Sequence, residues 1–239
     1  MPASIRPVKQ KQMIGKNWWK ILAYLSLLCI CTVGFLIKVP ILEGRLQQSV
    51  RSTFFHVPMW FGMMIFYTVS VIYSILYLIS PKPKNDYHAL EFARIGAVYA
   101  VLGLTTGAVW ATYQWGDASV WKSDPKLIGA AIALLIYLAY FVLRGSIVNI
   151  DNRAKISAVY NVFAFAMLFP TIWILPRTAE SLHPGGLGAQ GNPANPNDSA
   201  PVISWFLLIG TIGWTLIGVW ITNLRVRLHF IIEKRINNG

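Results

Sequence analysis

The residues of this sequence that could do chemistry are its four histidines and the side chains of one tryptophan-rich stretch. The stretch, residues 108–127, reads AVWATYQWGDASVWKSDPKL and combines Trp110, Trp115 and Trp121 with a glycine and two aspartates. Tryptophans often anchor a protein at a membrane boundary, because the ring is apolar and its N–H needs a polar partner. That role suffices for Trp110, but it does not explain rings mixed with glycine, acids and lysines. Such a mixture is typical of a surface that binds a large, flat, partly charged ligand.

The composition indicates that these residues belong to a membrane protein. Of 239 residues, 55% are hydrophobic and only 13% are charged, whereas a soluble domain has roughly a quarter charged residues. The mean hydropathy is +0.52. Since about 20 apolar residues cross a bilayer, the sequence predicts an all-α polytopic membrane protein with about six transmembrane helices. The net charge of +12 does not indicate nucleic-acid binding, because the basic residues flank the spans on one side.

Apolar runs divide the chain into predicted spans with short connections. The spans cover residues of about 21–37, 58–80, 92–113, 127–143, 156–175 and 202–224. We expect the second span to begin at Pro58, because a proline N–H is not needed at the first helical position. The whole chain, residues 1–239, is treated as a single membrane domain. Within it, residues 108–127 form a tryptophan-rich outer loop and residues 225–239 a basic cytoplasmic tail.

The distribution of basic residues predicts the orientation of the chain in the membrane. Most of the 21 Lys and Arg residues lie in the N-terminal segment, in the loops after spans 2 and 4, and in the C-terminal tail. Loops rich in Lys and Arg stay in the cytoplasm. Both termini are therefore expected in the cytoplasm, and the loops after spans 1, 3 and 5 on the outer side.

This topology separates the four histidines into two pairs. His88 and His229 face the cytoplasm among basic residues, where a histidine is usually an ordinary surface residue. His56 and His183 lie in the outer loops on either side of the tryptophan stretch. Haem needs such a site, because its iron binds two axial ligands on opposite faces and its ring stacks on aromatic side chains. We therefore expect His56 and His183 to be the axial ligands of a haem iron.

Other kinds of chemistry fit the sequence less well. A zinc site usually shows close ligand pairs such as HxxxH, and no such pair occurs. Cys29 and Cys31 point to nearly opposite faces of a helix, so they cannot pair. No P-loop is present, and no Ser or Cys lies beside a base in a recognisable catalytic pattern. A b-type cytochrome would need histidines deep within the spans, and a generic permease leaves the tryptophans and the outer histidines unexplained.

Three motifs give this sequence a family resemblance. FFHVP precedes span 2, WG…W…DPKL separates spans 3 and 4, and SLHP lies in the fifth loop. Together they resemble the haem-handling protein C family of bacterial cytochrome c maturation, part of the tryptophan-rich WWD group. The resemblance covers residues of about 20–225, with six spans in the same places.

The resemblance implies both a location and a function. It implies a multi-pass protein of the bacterial cytoplasmic (inner) membrane that binds haem b non-covalently and transiently at the outer face. The partners that it implies are a membrane-anchored haem chaperone, which receives the haem, and the subunits of an ATP-binding-cassette complex; membrane lipids surround the spans. The protein would then be a carrier and not an enzyme. The alternative is a haem–cytochrome c synthetase-type subunit, although synthetases of this group have additional spans and histidines.

The resemblance also assigns residues of the tryptophan stretch to the haem site. Trp115 and Trp121 would stack on haem, and Gly116, Asp124 and Lys126 would shape the loop on the propionate side. Since a carboxylate cannot usefully face propionates, we expect Asp124 to accept backbone N–H groups where the next helix begins.

The stretch departs from the family pattern WGxxWxWDxRL at two positions and in the spacing after WG, which is longer here. Ser123 replaces the tryptophan before the aspartate, and Lys126 replaces the arginine. A lysine cannot form the bidentate pair with a propionate that an arginine forms. The departure affects the affinity or the mode of hand-over more than the class of ligand.

The predicted orientation can be tested by labelling introduced cysteines in intact cells. Cysteines between residues 176 and 201 should react with a membrane-impermeant reagent, and cysteines between residues 81 and 88 should not. Labelling of the second set alone would reverse the orientation and place the histidine pair in the cytoplasm.

Overall fold

Six long helices form the framework in the computed structural model, which describes residues 10–39, 46–116, 123–181, 183 and 201–237. They are α1 (Gln10–Leu36), α2 (Thr53–Ile79), α3 (Pro83–Trp115), α4 (Pro125–Ser146), α5 (Ile150–Leu168) and α6 (Pro201–Asn237). Each of the six contains a segment long and apolar enough to cross a membrane. The prediction of an all-α protein with six spans is confirmed. Helices suit a bilayer because they satisfy every backbone hydrogen bond internally.

Short helical segments extend two of these elements. Leu46–Ser49 and the 3₁₀ turn Val50–Ser52 lead directly into α2. Later in the chain, α5 continues through the π-helical turn Phe169–Ile174 into the short helix Leu175–Thr178. These extensions bring the chain toward the end of the bundle at which α3 ends.

The prediction that α2 begins at Pro58 is wrong. The helix begins at Thr53 and Pro58 lies inside it, so the carbonyl of Phe54 loses its usual partner. Helix α6 passes closely at this point, with Gly210 beside that carbonyl and beside the Pro58 ring. A neighbouring helix at such a position lets a membrane helix tolerate proline. His56 consequently lies on α2 and not in the loop that precedes it.

The tryptophan-rich stretch is also more helical than the sequence indicated. Helix α3 continues through Trp115, so Trp110 and Trp115 belong to it and only residues 116–124 connect it to α4. The helix ends where Gly116 adopts a left-handed conformation, with φ of 74°. Its N–H donates to the carbonyl of Thr112 at 2.9 Å. Glycine adopts this conformation without a steric penalty.

The last span and the described part of the predicted basic tail form one continuous helix. Helix α6 runs to Asn237, because no glycine or proline occurs between Gly218 and that residue. Its last turns carry Lys234 and Arg235, and cations are favourable near a helix C-terminus.

The buried core is organised around α2. Tyr67 of α2 stacks on Tyr137 of α4 with ring centroids 3.5 Å apart. Asn161 of α5 donates hydrogen bonds of 2.8 Å to the hydroxyls of Ser70 and Ser74 on α2. The ring stack joins α2 to α4, and the two hydrogen bonds join α2 to α5.

Buried ion pairs join the helices near the start of α3. Arg144 of α4 donates two hydrogen bonds to Asp86 of α3, at 2.7 and 2.6 Å, and both side chains are almost fully buried. A bidentate pair fixes orientation as well as distance. The pair therefore sets the position of α4 relative to α3.

A second ionic cluster joins α3 to α6. The fully buried carboxylate of Glu91 contacts Arg94 at 2.5 Å, Arg225, and Nε2 of His229 at 2.7 Å. His229 was interpreted from the sequence as an ordinary surface histidine, but it is half-buried and part of this cluster. The sequence did not indicate the cluster because its members come from two distant helices.

Candidate functional site

The site is built on the start of α4, where Asp124 is the N-cap. Its Oδ1 accepts hydrogen bonds from the backbone N–H of Lys126 at 2.9 Å and of Leu127 at 3.3 Å. Pro125 takes the first helical position, as proline favours. The expected capping by Asp124 is thus confirmed.

The same carboxylate holds the segment that carries His183. The hydroxyl of Ser181 donates to Asp124 Oδ2 at 2.9 Å, and the backbone N–H of His183 donates to Ser181 Oγ at 3.2 Å. His183 Nδ1 lies 3.5 Å from Asp124 Oδ1, an electrostatic contact at the limit of hydrogen-bonding distance. Asp124 and His183 are 4% and 6% exposed, so little water screens this contact.

The pKa of Asp124 reflects these neighbours. Burial on its own would raise the pKa of the carboxyl, because it disfavours the charged form. The adjoining His183 imidazole and the Ser181 hydroxyl outweigh burial and hold the pKa below its ordinary value. Asp124 is therefore a carboxylate at neutral pH.

Two tryptophans of α3 pack against His183. The ring of Trp115 meets it edge to face at a centroid distance of 5.0 Å, and the ring of Trp110 lies 6.1 Å away. Nε1 of Trp110 donates to Ser49 Oγ at 3.2 Å. The sequence favoured a membrane anchor for Trp110, whereas the structure places it beside the histidine.

His56 is positioned by α3. Its Nδ1 lies 3.2 Å from the hydroxyl oxygen of Thr106, and that hydroxyl donates to the carbonyl of Leu102 at 2.6 Å. Because the Thr106 proton is engaged, its oxygen accepts from His56 Nδ1–H. This arrangement assigns the proton to Nδ1 and leaves the lone pair on Nε2.

Close packing also fixes the His56 ring. A Cβ atom at position 107 would lie 2.5 Å from His56 Cε1, so only glycine fits there. The ring of Trp60 meets His56 edge to face at 6.2 Å. The imidazole is therefore held between its own helix and α3.

The structure brings together most of the residues that the sequence assigned to the site. His56 contacts α3 at Thr106, and one turn further along the same helix Trp110 packs against His183. Gly116 ends α3, and Lys126 lies in the first turn of α4 beside Asp124. Trp121 lies outside the described residues, so its assignment stays a prediction.

The sequence did not identify Thr106, Gly107 and Ser181 as part of this site. Thr105, Thr106 and Gly107 form a run of small residues inside a span, and such runs often mark close helix packing. That signal could have indicated the approach of α2. No comparable signal marks Ser181, whose contact with Asp124 arises from the fold.

The donor set fits haem. An imidazole that ligates a metal through one nitrogen usually has the other nitrogen bound to a carboxylate or another acceptor. Here His56 Nδ1 faces Thr106, and His183 Nδ1 faces Asp124. Lys126 would add a cation at the same end for a propionate.

Comparisons with known proteins extend over nearly the whole chain. The sequence model of the family described as Heme exporter protein C matches residues 4–238. Heme exporter protein C of Paracoccus denitrificans (strain Pd 1222) is 28% identical over 204 residues, which cover 82% of this chain and 80% of that protein. The Haemophilus influenzae protein of the same name is 24% identical over 230 residues, with 95% and 90% covered. Cytochrome c biogenesis protein CcsA of Cuscuta reflexa is 27% identical over 171 residues, with 71% and 51% covered.

The two structural roles of Asp124 can be separated by substitution. Asp124→Ala should destabilise the protein by about 1 kcal/mol or more, because an alanine cannot cap α4. Asp124→Asn should retain most of the stability, since asparagine caps a helix about as well as aspartate. Thermal unfolding of the detergent-purified variants measures the difference. Equal losses for the two variants would mean that the negative charge, and not the cap, provides the stability.

Proposed function

The chain belongs to the heme exporter protein C family, and on that premise we propose that it holds haem b between His56 and His183 and passes it to a membrane-anchored haem chaperone. The protein is a multi-pass inner-membrane protein with a role in haem handling for cytochrome c maturation. On this proposal, His56 and His183 are the haem ligands, haem is bound non-covalently and transiently, and the chaperone is its recipient.

The observation that carries the proposal is the matched arrangement of the two imidazoles at one end of the bundle. Each ring directs Nδ1 to a polar partner on a different element, which is Thr106 for His56 and Asp124 for His183. Nε2 of each ring is then the nitrogen with which it would bind iron. The two histidines come from separate elements, α2 and the segment after α5, as ligands on opposite faces of a ring require.

The two proposed ligands differ in strength. A carboxylate next to Nδ1 makes the imidazole a better electron donor to a metal than a neutral hydroxyl does. His183, beside Asp124, is therefore the stronger ligand, and His56, beside Thr106, is the weaker one. A carrier must release its haem, and this asymmetry makes His56 the first ligand to dissociate.

Aromatic and cationic residues complete the proposed site. Trp115 supports the His183 ring and, with Trp121, would stack on the macrocycle. Lys126 and Gly116 lie on the proposed propionate side. The iron of the bound haem would supply any redox chemistry, and the residues of this chain would bind, orient and release the haem.

The proposed partners rest on the family resemblance and on the charge pattern. Passage of haem to a chaperone beside an ATP-binding-cassette complex is what the resemblance implies. The excess of Lys and Arg in the opposite loops supports an outer-face location for the histidine pair. Haem would then be presented on the side where the chaperone receives it.

Replacing either proposed ligand should alter the haem spectrum. His56→Ala and His183→Ala should each convert a six-coordinate absorption spectrum into a weaker or altered one, because iron loses one axial nitrogen. Imidazole added from solution should partly restore the six-coordinate spectrum. Absorption of the detergent-purified proteins, with and without added haem, is the measurement.

His88→Ala is the matched control for this experiment, since His88 lies at the opposite end of α3 and stacks on Tyr73. Its spectrum should equal that of the unaltered protein. Loss of haem in His88→Ala while both outer variants keep their haem would disprove the proposed site.

The residues that face the two Nδ1 atoms should tune the bound haem. Asp124→Asn removes the negative charge beside His183, so ferric iron is less stabilised and the midpoint potential should rise, by about 59 mV for each tenfold loss of that preference. Thr106→Val removes the acceptor for His56 and should speed haem release. Potentiometric titration and transfer of haem to an apoprotein acceptor measure the two effects.

Thr105→Val is the matched control, because Thr105 is exposed on the same helix and bonds only to carbonyls of its own helix. If Thr106→Val releases haem no faster than Thr105→Val, and the potential of Asp124→Asn is unchanged, the imidazoles are not oriented through these contacts.

A further inference from the structure

A large cleft lies at the opposite end of the bundle from His56 and His183. Its volume is about 1210 Å³, and it is lined by α3, α4, the start of α5 and α6. None of the residues assigned to the haem site lines it. The cleft follows α3 from Pro83 to Leu102, a distance of about 30 Å at 1.5 Å per residue.

The cleft has a charged part and an apolar part. Arg94, Arg153 and Arg225 line the part near the start of α3. Further along α3 the walls are aliphatic, and the side chains there are substantially exposed in the bundle: Val98, Val101, Leu102, Leu138 and Ile221. A ligand that fills this cleft must be charged at one end and apolar at the other.

The change from charged to apolar walls coincides with the expected edge of the bilayer. From Arg94 to Trp115 at the end of α3 is about 32 Å, close to the hydrocarbon thickness of about 30 Å. Arg225 of α6 lies at the level of Arg94, because both contact Glu91. The aliphatic walls therefore lie within the hydrocarbon, and the arginines lie in the headgroup region.

The arginines retain capacity to bind an anion. Arg94 and Arg225 share the single carboxylate of Glu91, and their side chains are still 40% and 46% exposed. The buried Nε of Arg153 has no hydrogen-bond partner in the part of the chain that the structure describes. The half-buried Arg153 side chain lines the cleft, so its guanidinium can donate to a ligand oxygen there.

The acidic residues of the cleft are largely engaged with the protein. Asp86 is bound by Arg144 through both oxygens, and Glu233 accepts a hydrogen bond from Tyr87 at 3.4 Å. Asp151 is exposed where α5 begins. Among the described residues, no ion pair joins Asp86, Asp151 or Glu233 to Arg94 or Arg225, and these two arginines share the carboxylate of Glu91.

We propose that this cleft binds an anionic glycerophospholipid, with its phosphate against Arg94, Arg153 and Arg225 and its acyl chains along the aliphatic walls. A lipid is amphipathic over the required length, and it reaches the cleft from the bilayer. The phosphate supplies the charge-assisted hydrogen bonds that exposed arginines make best.

The geometry does not favour haem in this cleft. The imidazole that lines it, His229, has Nε2 bound to Glu91 at 2.7 Å. One face of that ring is covered by Tyr87 at a centroid distance of 4.7 Å. His229 is therefore part of the ion-pair cluster with Glu91, and its Nε2 is not available to bind iron.

The proposal can be tested by native mass spectrometry of the full chain in detergent, with dioleoylphosphatidylglycerol or dioleoylphosphatidylcholine added. The anionic lipid should bind at least severalfold more tightly than the zwitterionic one. Arg153→Gln should weaken its binding about tenfold, the effect of one lost charge-assisted hydrogen bond. Lys155→Gln, on the same helix but outside the cleft, should leave it unchanged.

A second pair of variants tests the apolar part of the cleft. Leu138→Trp should reduce lipid binding by filling the space for the acyl chains, whereas Leu135→Trp, exposed on α4 outside the cleft, should not. Equal binding of the two lipids, or equal behaviour within both variant pairs, would overturn the proposal.

Two further ligands distinguish other occupants of the cleft. Inorganic phosphate that binds with the same dependence on Arg153, and without any effect of Leu138→Trp, would make the cleft an ion site and overturn the lipid assignment. Haem binding that is lost in Arg153→Gln would assign the cleft to haem and also overturn it. The haem spectra of the His56 and His183 variants test the other site independently.

Discussion

The buried carboxylate of Asp124 connects the helical framework to the segment that carries His183. One oxygen caps α4, and the other accepts from Ser181. An N-cap contributes about 1 kcal/mol, and a hydrogen bond to a charged group about 1.5–3 kcal/mol. Because the same group faces His183 Nδ1, the position and the electronic character of this histidine depend on where α4 begins. The carboxylate that caps α4 therefore also sets the orientation of His183 in the proposed site.

The two ends of the bundle use polar groups in different ways. Where α3 begins, the buried pair Asp86–Arg144 and the pair between buried Glu91 and half-exposed Arg225 hold helices in register. Such pairs contribute little net stability after desolvation, but removing one partner is costly. Where α3 ends, aromatic rings and one carboxylate surround two imidazoles. The first arrangement resists change, whereas the second leaves one nitrogen of each imidazole for a ligand.

The sequence predicted the six spans because apolar length alone determines what a bilayer accepts. It predicted the helix ends less well. Pro58 was expected to start α2, but Gly210 of α6 covers the backbone that proline disturbs, and no local pattern reveals that neighbour. The assignment of the histidine pair as haem ligands stays a prediction, whereas the Asp124 cap could be predicted from residue type and position. Thr106 and Ser181 could not, because their roles depend on contacts between elements distant in sequence.

A single helix links the two regions that we propose as binding sites. Helix α3 has 33 residues, about 50 Å at 1.5 Å per residue. It carries Glu91 and Arg94 near one end and Thr106 and Trp115 near the other. Thr106 bonds to His56, the proposed weaker ligand, while Asp124 at the start of α4 fixes His183. A displacement of α3 would thus act first on the His56 contact. The ligand that we propose to dissociate first is the one attached to the helix that also lines the cleft.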